Sequence, residues 1–242
     1  MRTIRIYQAG HYDVGDVIEL SATASQHVGV VLRMQPADSL TLFCGDNREF
    51  LAHITNVHKK KVSVRIAEVA NVCRESLRQI HLAQALSKGD RMEWVIQKAV
   101  ELGVTSITPL FTAHCVVKLD AERLAKKQAQ WQAIAIAACE QSGRNQVPTV
   151  HSACSYAAYL NTSSAATKWI LHPSSEKSWR DHAFTAGDIA LLIGPEGGLS
   201  EDEISQAKSH DFMSLCLGPR VLRTETAAIA ALSVLQAVAG DL

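Results

Sequence analysis

Two short stretches in the last third of the chain do most to fix what it can fold into. Leu191–Ser200 reads LLIGPEGGLS, and Leu217–Ala227 reads LGPRVLRTETA. Each is an apolar run, then a glycine-proline turn, then a helix start. Ile189–Ile193 is apolar throughout, as a strand buried on both faces of a parallel sheet must be. Gly194, Gly197 and Gly198 let the backbone approach closely, and Pro195 stiffens the turn. Ser200-Glu201-Asp202-Glu203 has the pattern of a capping box. Met213–Leu217 repeats the strand pattern, and Gly218-Pro219 breaks it. Thr224 is placed to cap a helix over Glu225–Ala239, with Gly240 as its stop. Glycine turns at the carboxyl ends of two strands predict a ligand crevice in an α/β sheet.

The ligand can be narrowed by elimination. No Gly-Lys-Ser/Thr is present, so this is not a P-loop, and no G-x-G-x-x-G follows a strand. The crevice must hold its ligand with backbone groups and apolar walls, which suits an uncharged, adenosine-like body.

The 242 residues are 47% hydrophobic, enough for one large domain or two small ones with a sizeable core. Formal net charge is zero, so any contact with a polyanion must come from a local patch. The six cysteines are scattered with no C-x-x-C, which argues against structural zinc and for a reducing, cytoplasmic setting. The ten histidines show no metal spacing, so no metal is expected. The opening MRTIRIYQAG lacks an apolar signal core, and no run reaches membrane-spanning length.

Taken in order, residues 1–70 read as closely spaced strands: Arg2–Tyr7, Val17–Leu20, Leu40–Phe43, Glu49–Val57 and Val62–Glu68, with a short helix over Ser25–Met34. This spacing suggests a small β-barrel. Arg2, Arg5, Arg33 and the basic turn Lys59–Lys61 could meet phosphate or could simply be solvated. Residues 71–78 are polar and read as a linker. From 79 to 242 strands and helices alternate, which defines an α/β domain. Ile80–Leu86 is followed by a helix with Asp90 as cap and Glu93 completing a capping box, then by the strand Val104–Leu110. Asp120 opens a long helix to about Gln141, ended by Gly143, and Lys168–Leu171 is a further strand.

The pair IGPEGGLS and LGPRVLRTETA, in that order, resembles the RsmE family of 16S ribosomal RNA uridine methyltransferases, a branch of the SPOUT class. Lys88–Val104 (KGDRMEWVIQKAVELGV) and Glu140–Asn145 (EQSGRN) share in the resemblance, which covers nearly the whole chain. It implies a trefoil-knotted α/β methyltransferase domain preceded by a small PUA-like β-barrel that binds RNA. It further implies S-adenosylmethionine as cofactor, N3 of a uridine in the small ribosomal subunit as target, and a homodimer. On the matching positions, Leu171, His172, Gly194, Pro195, Glu196, Gly197, Gly198, Leu217, Gly218, Leu222, Arg223 and Thr224 would cradle the cofactor. Arg220 would be catalytic, its guanidinium facing charge that develops on the uracil. Arg2, Arg5, Arg33, Arg144 and Asn145 would meet RNA. Glu196 is expected first to order its turn, and Arg223 could pair with Glu225. From the residues alone, two other readings stay open: a non-catalytic RNA-binding protein, which leaves both glycine loops unexplained, and an enzyme for another nucleotide, against which the missing phosphate motifs weigh.

Overall fold

The computed structural model describes residues 4–58, 61–117, 119–175, 178–181 and 187–242, so Arg2, Lys59 and Lys60 lie outside the described residues. The chain divides into two units. Unit 1 holds Met1–Glu75 together with Cys139–Val147, and unit 2 holds Ser76–Ala138 and Pro148–Leu242. A sequence boundary drawn near residue 70 therefore misses two parts of unit 1, the stretch to Glu75 and the excursion at 139–147.

Unit 1 contains β1 (Arg5–Tyr7), β2 (Val17–Glu19), α1 (Ala22–Gln26), β3 (Ser39–Phe43), β4 (Arg48–His58) and β5 (Lys61–Asn71). They form a five-stranded sheet in the order β1-β3-β4-β5-β2. Among the described residues of this sheet only the β1–β3 pair is parallel. Among the described residues no ladder joins β2 to β1, so the expected barrel is not closed by strand pairing. The Gln8 side chain, just past β1, instead accepts from the Ser21 N–H at 2.9 Å. Register shifts at Leu51/Ala52 and Ile54/Asn56 let the long β4–β5 hairpin coil, as bulges do. One face buries Ile6, Leu40, Leu42, Phe50, Ile54, Val62, Val64 and Ile66, the alternate positions that a period of two predicts. The expected single helix over Ser25–Met34 is instead α1 followed by a π turn at His27–Val31.

Unit 2 contains β6 (Ile80–Ala85), α2 (Arg91–Glu101), β7 (Ser106–Phe111), α3 (Ala121–Ser142, whose last turn belongs to unit 1), β8 (Thr149–Val150), β9 (Cys154–Ser155), α4 (Tyr156–Thr162), β10 (Thr167–Leu171), β11 (Ile189–Ile193), α5 (Glu201–Ser209), β12 (Met213–Leu215) and α6 (Thr224–Ala239). The sheet order is β12-β10-β11-β6-β7-β8, with β9 also on β7, and every pair is parallel. β8 pairs at Ser106 and Ile107 and β9 at Leu110 and Phe111, so the outer ladder breaks at Thr108-Pro109. Proline has no N–H to give it. One sheet face packs Ala83, Leu110, Ile170, Ala190 and Leu192 against Tyr156, Tyr159 and Leu160 of α4, Ala207 of α5, and Phe212. α2 packs on α6, and α6 also contacts β11.

Two capping expectations need correction. Asp90 takes φ −82° and ψ 0°, not the extended geometry that aims a cap side chain, and its carboxylate makes no cap bond. Glu93 bonds Lys127 and Gln130 of α3 instead. At α6 the cap position belongs to Arg223, and Thr224 is the first helical residue. The capping box of Ser200 and Glu203 does form.

Candidate functional site

Unit 2 carries a cavity of about 650 Å³ beyond the carboxyl ends of β10, β11 and β12. Its walls are the segments Leu171–Ser174, Ile193–Leu199 and Leu215–Arg223, with the start of α6. All twelve residues expected to hold the cofactor line it, and so does Arg220. Three parallel strands end side by side there, which is why segments far apart in sequence share one hollow.

The loops are braced by side chains that do not depend on a ligand. The Thr224 hydroxyl donates to the Gly194 carbonyl at 2.6 Å and accepts from Gln84 Nε2 at 2.9 Å. Thr224 therefore ties the second loop to the first, a reason for its presence stronger than capping. His114 Nδ1 lies 3.0 Å from the Gly198 carbonyl. The His172 N–H donates to Leu215 O at 3.0 Å, joining the loop after β10 to β12. Gly198 has φ +72° and Gly218 φ +147°, and a Cβ on either would meet no protein atom within 4 Å. Both loops thus turn where side chains rarely can, and leave open space at the turn.

Glu196 orders its surroundings by pairing. Its carboxylate accepts from Arg91 Nη1 at 2.5 Å and from the Lys88 N–H at 3.4 Å. Burial alone would push this carboxyl up, but bonds from its own N–H, from Arg91 and from Lys88 outweigh it and hold the group below the usual range. Glu225 is not paired with Arg223. Its Oε1 lies 3.8 Å from Arg91 Nε, and its Oε2 is buried without a hydrogen-bond partner among the described residues. Arg220 forms no hydrogen bond or ion pair among the described residues. The cavity presents three arginines (Arg91, Arg220, Arg223) against two carboxylates (Glu196, Glu225), so it favours charge that becomes negative.

These features fit an adenosine-type cofactor. The volume lies in the range of small-molecule pockets, roughly 300–1,000 Å³. Leu171, Ile193, Leu199, Leu217 and Leu222 supply apolar walls for a purine, and the glycine turns bring backbone close. Among the described residues no group of three or more His, Cys, Asp or Glu could hold a metal.

The candidates for RNA contact fall differently. Arg33 is exposed, in left-handed backbone at φ +54°. Arg5, Arg144 and Asn145 are engaged inside unit 1. Arg5 donates to Glu49 Oε1 at 2.5 Å and to Asn145 Oδ1 at 2.6 Å. Arg144 is 6% exposed and paired with Glu75, its Nε donating to Oε2 at 3.0 Å. Asn145 is fully buried and donates to Val72 O at 2.6 Å. Carboxylates and carbonyls of unit 1 already engage these three residues, which were expected to meet RNA. Sequence reasoning missed Arg91, His114 and Gln84 as braces; only Arg91 lay in a quoted motif.

The parallel sheet whose last three strands end in a glycine-lined cavity is that of an RNA methyltransferase domain, since residues 74–236 match the family of that description. Residues 20–67 match the RNA methyltransferase PUA domain. The chain belongs to the ribosomal RNA small subunit methyltransferase E family. It is 37% identical to the Bacillus subtilis member over 218 residues, 86% of this chain and 85% of that one. It is 36% identical to a Buchnera aphidicola member, covering 100% of this chain and 98% of that one. A Legionella pneumophila methyltransferase solved with bound SAM is 57% identical, with TM-score 0.98 and 100% of both chains covered. The Neisseria gonorrhoeae family member, bound to S-adenosyl methionine, is 37% identical with TM-score 0.93 over 100% of both chains.

Proposed function

We propose that this chain transfers the methyl group of S-adenosylmethionine to N3 of a uridine in 16S ribosomal RNA. The observation that carries this reading is the cavity: all twelve expected cofactor residues and Arg220 line one hollow at the ends of three parallel strands. Bound there, the cofactor supplies an electrophilic methyl carbon. The chain's part is to hold that carbon in line with N3, to exclude water, and to neutralise charge spreading to O2 and O4 of the uracil. Arg220, with no partner among the described residues, suits the last task. N3 lies on the pairing edge, so the target base must be unpaired or turned out of its stack.

In the same reading, unit 1 adds RNA affinity through Arg33 and the basic residues 59–61, of which Lys61 is already 2.9 Å from Glu19. The second unit is a trefoil-knotted SPOUT domain. The chain acts in the cytoplasm as a homodimer, supported by α6, which buries Ala228, Ala231, Leu232 and Leu235 yet leaves Val238 41% exposed. The test is calorimetry with S-adenosylmethionine, then tritiated cofactor with unmodified small ribosomal subunits and mapping of the labelled nucleoside. Label at N3 of one uridine is expected. Cofactor binding without label on RNA would refute the reading.

A further inference from the structure

A second, wider hollow of about 800 Å³ adjoins the cofactor cavity in unit 2. Lys88, Gly89, Asp90, Trp94 and Thr226 line it and not the cofactor cavity. Arg91, Arg223 and Glu225 line both hollows and so form the partition between them. Trp94, on the first turns of α2, is 43% exposed, unlike the buried Trp131 and Trp169. Glu225 is the converse: a side chain only 16% exposed, with one oxygen lacking any partner among the described residues. A buried carboxylate oxygen left without a donor is costly, so a carboxylate held this way gains by turning toward a donor that a ligand brings.

We propose that the second hollow receives the target base, with Trp94 as its stacking surface and the Glu225 carboxylate as the acceptor of the N3 hydrogen. The proposal rests on the methyltransferase reading above and adds the groups that recognise and activate uracil. The pairing edge of uracil presents an acceptor, a donor and an acceptor: O2, N3–H and O4. Its complement is donor, acceptor, donor. Arg91, Glu225 and Arg223 line the hollow together and supply those three types for recognition, the arginines being donors only, while Arg220, on the cofactor side of the partition, adds positive charge as the methyl is transferred. Cytosine shows a bare N3 lone pair on that edge, which a carboxylate repels. The partition therefore selects uridine over cytidine by charge as well as shape.

The step balances. The N3 proton passes to the Glu225 carboxylate, and the N3 lone pair forms the new bond to the methyl carbon. The carbon–sulfur bond breaks, its electron pair staying on sulfur. One carboxylate charge and one sulfonium charge are consumed together, leaving a neutral carboxylic acid, a neutral thioether and a neutral methylated base. The charged and titratable groups around Glu225 are Lys88, Asp90 and Arg91 at the start of α2, Glu196 and His172 on the neighbouring loops, and Arg220 and Arg223 before α6. Among those able to take the proton, Asp90 lines the second hollow and not the first, and His172 and Glu196 the first and not the second, Glu196 being held by Arg91. Glu225 alone of these faces both.

Glu225→Gln and Trp94→Ala test the two roles in the intact protein, with small ribosomal subunits as substrate. Glu225→Gln should bind S-adenosylmethionine as wild type does, while single-turnover methylation at saturating subunits falls about a hundredfold or more. Its residual rate should climb with pH as free uracil ionises, because solvent then does what the carboxylate did. An unchanged rate, or the same loss at every pH, would overturn the assignment, the latter marking Glu225 as a structural residue. Trp94→Ala should raise the half-saturating subunit concentration roughly 5- to 100-fold, with Trp94→Phe recovering most of it. If Trp94→Ala instead turns a dimer into a monomer by light scattering, a second copy of the chain covers this hollow and the base site is elsewhere. If wild type binds cofactor but labels no uridine, the methyltransferase reading itself fails and takes this inference with it.

Discussion

Arginine does opposite work in unit 1 and on the second cavity loop of unit 2. In unit 1, Arg5, Arg74 and Asn145 all donate to one carboxylate, Glu49, and Arg144 is closed on Glu75. In unit 2, Arg220 and Arg223 stand at the cavity with no carboxylate closed on them among the described residues. Side-chain chemistry is the same; only the presence of an opposing acid differs. A paired, buried guanidinium holds backbone segments together, whereas an unpaired one on a concave surface keeps its donors for a ligand.

The contrast can be broken by substitution. The largest effect is expected at Arg144. Arg144→Ala removes a nearly buried guanidinium and leaves the half-buried Glu75 with only the Gln146 N–H among the described residues, and should cost about 3 kcal/mol of stability, read by urea denaturation. Next comes Arg220→Ala, which should leave the denaturation midpoint unmoved and cofactor affinity within a few-fold, while turnover drops on the order of a hundred- to a thousandfold. Arg220→Lys should recover little if the planar fork is what matters. Stability loss in Arg220→Ala, or none in Arg144→Ala, would erase the distinction between the two sets.

Acid sharpens it further. Burial works against ionised Glu49, but hydrogen bonds from Arg74, Arg5 and Asn145 outweigh this and hold its carboxyl below the usual range. Asp46, likewise opposed by burial, is brought down to about 2 by bonds from Arg48 and Cys44. Groups whose folded pKa is depressed contribute stability above the unfolded value and lose it as pH falls. The urea midpoint should therefore hold near neutrality and decline below about pH 4.5 toward pH 2, and Glu49→Gln should flatten that decline. The smallest effect belongs to the exposed Lys61–Glu19 pair, whose side chains are 70% and 52% exposed. Lys61→Ala should change stability by less than about 1 kcal/mol, and salt should shrink even that.

Sequence made some of this legible and hid the rest for a definable reason. Local patterns carried the strands, the Ser200–Glu203 capping box and the two loops whose residues meet in one cavity. What failed were roles set by partners distant in the chain. Arg144 and Glu75 are 69 residues apart, Asn145 and Glu49 96 apart, and Gln84 and Thr224 140 apart. An Arg-Asn dipeptide after a helix looks like a free donor pair until the fold brings acids to it. Thr224 looks like a cap until Gly194 arrives beside it. The excursion at 139–147 was hidden likewise, because its membership in unit 1 rests on Glu49, Arg74 and Glu75 rather than on its own composition.

The carboxylate that caps α5 has a second duty. Glu203 Oε2 accepts from the Ser200 N–H at 2.9 Å, while Oε1 accepts from the Ala113 N–H at 2.8 Å, one residue before the His114 that props Gly198. One side chain thus latches the loop after β7 to the loop after β11. An opening that breaks this latch loosens both loops together. In hydrogen exchange the amides of Ala113 and Ser200 should then share a single opening free energy, and the cofactor would enter and leave through a motion of both loops at once.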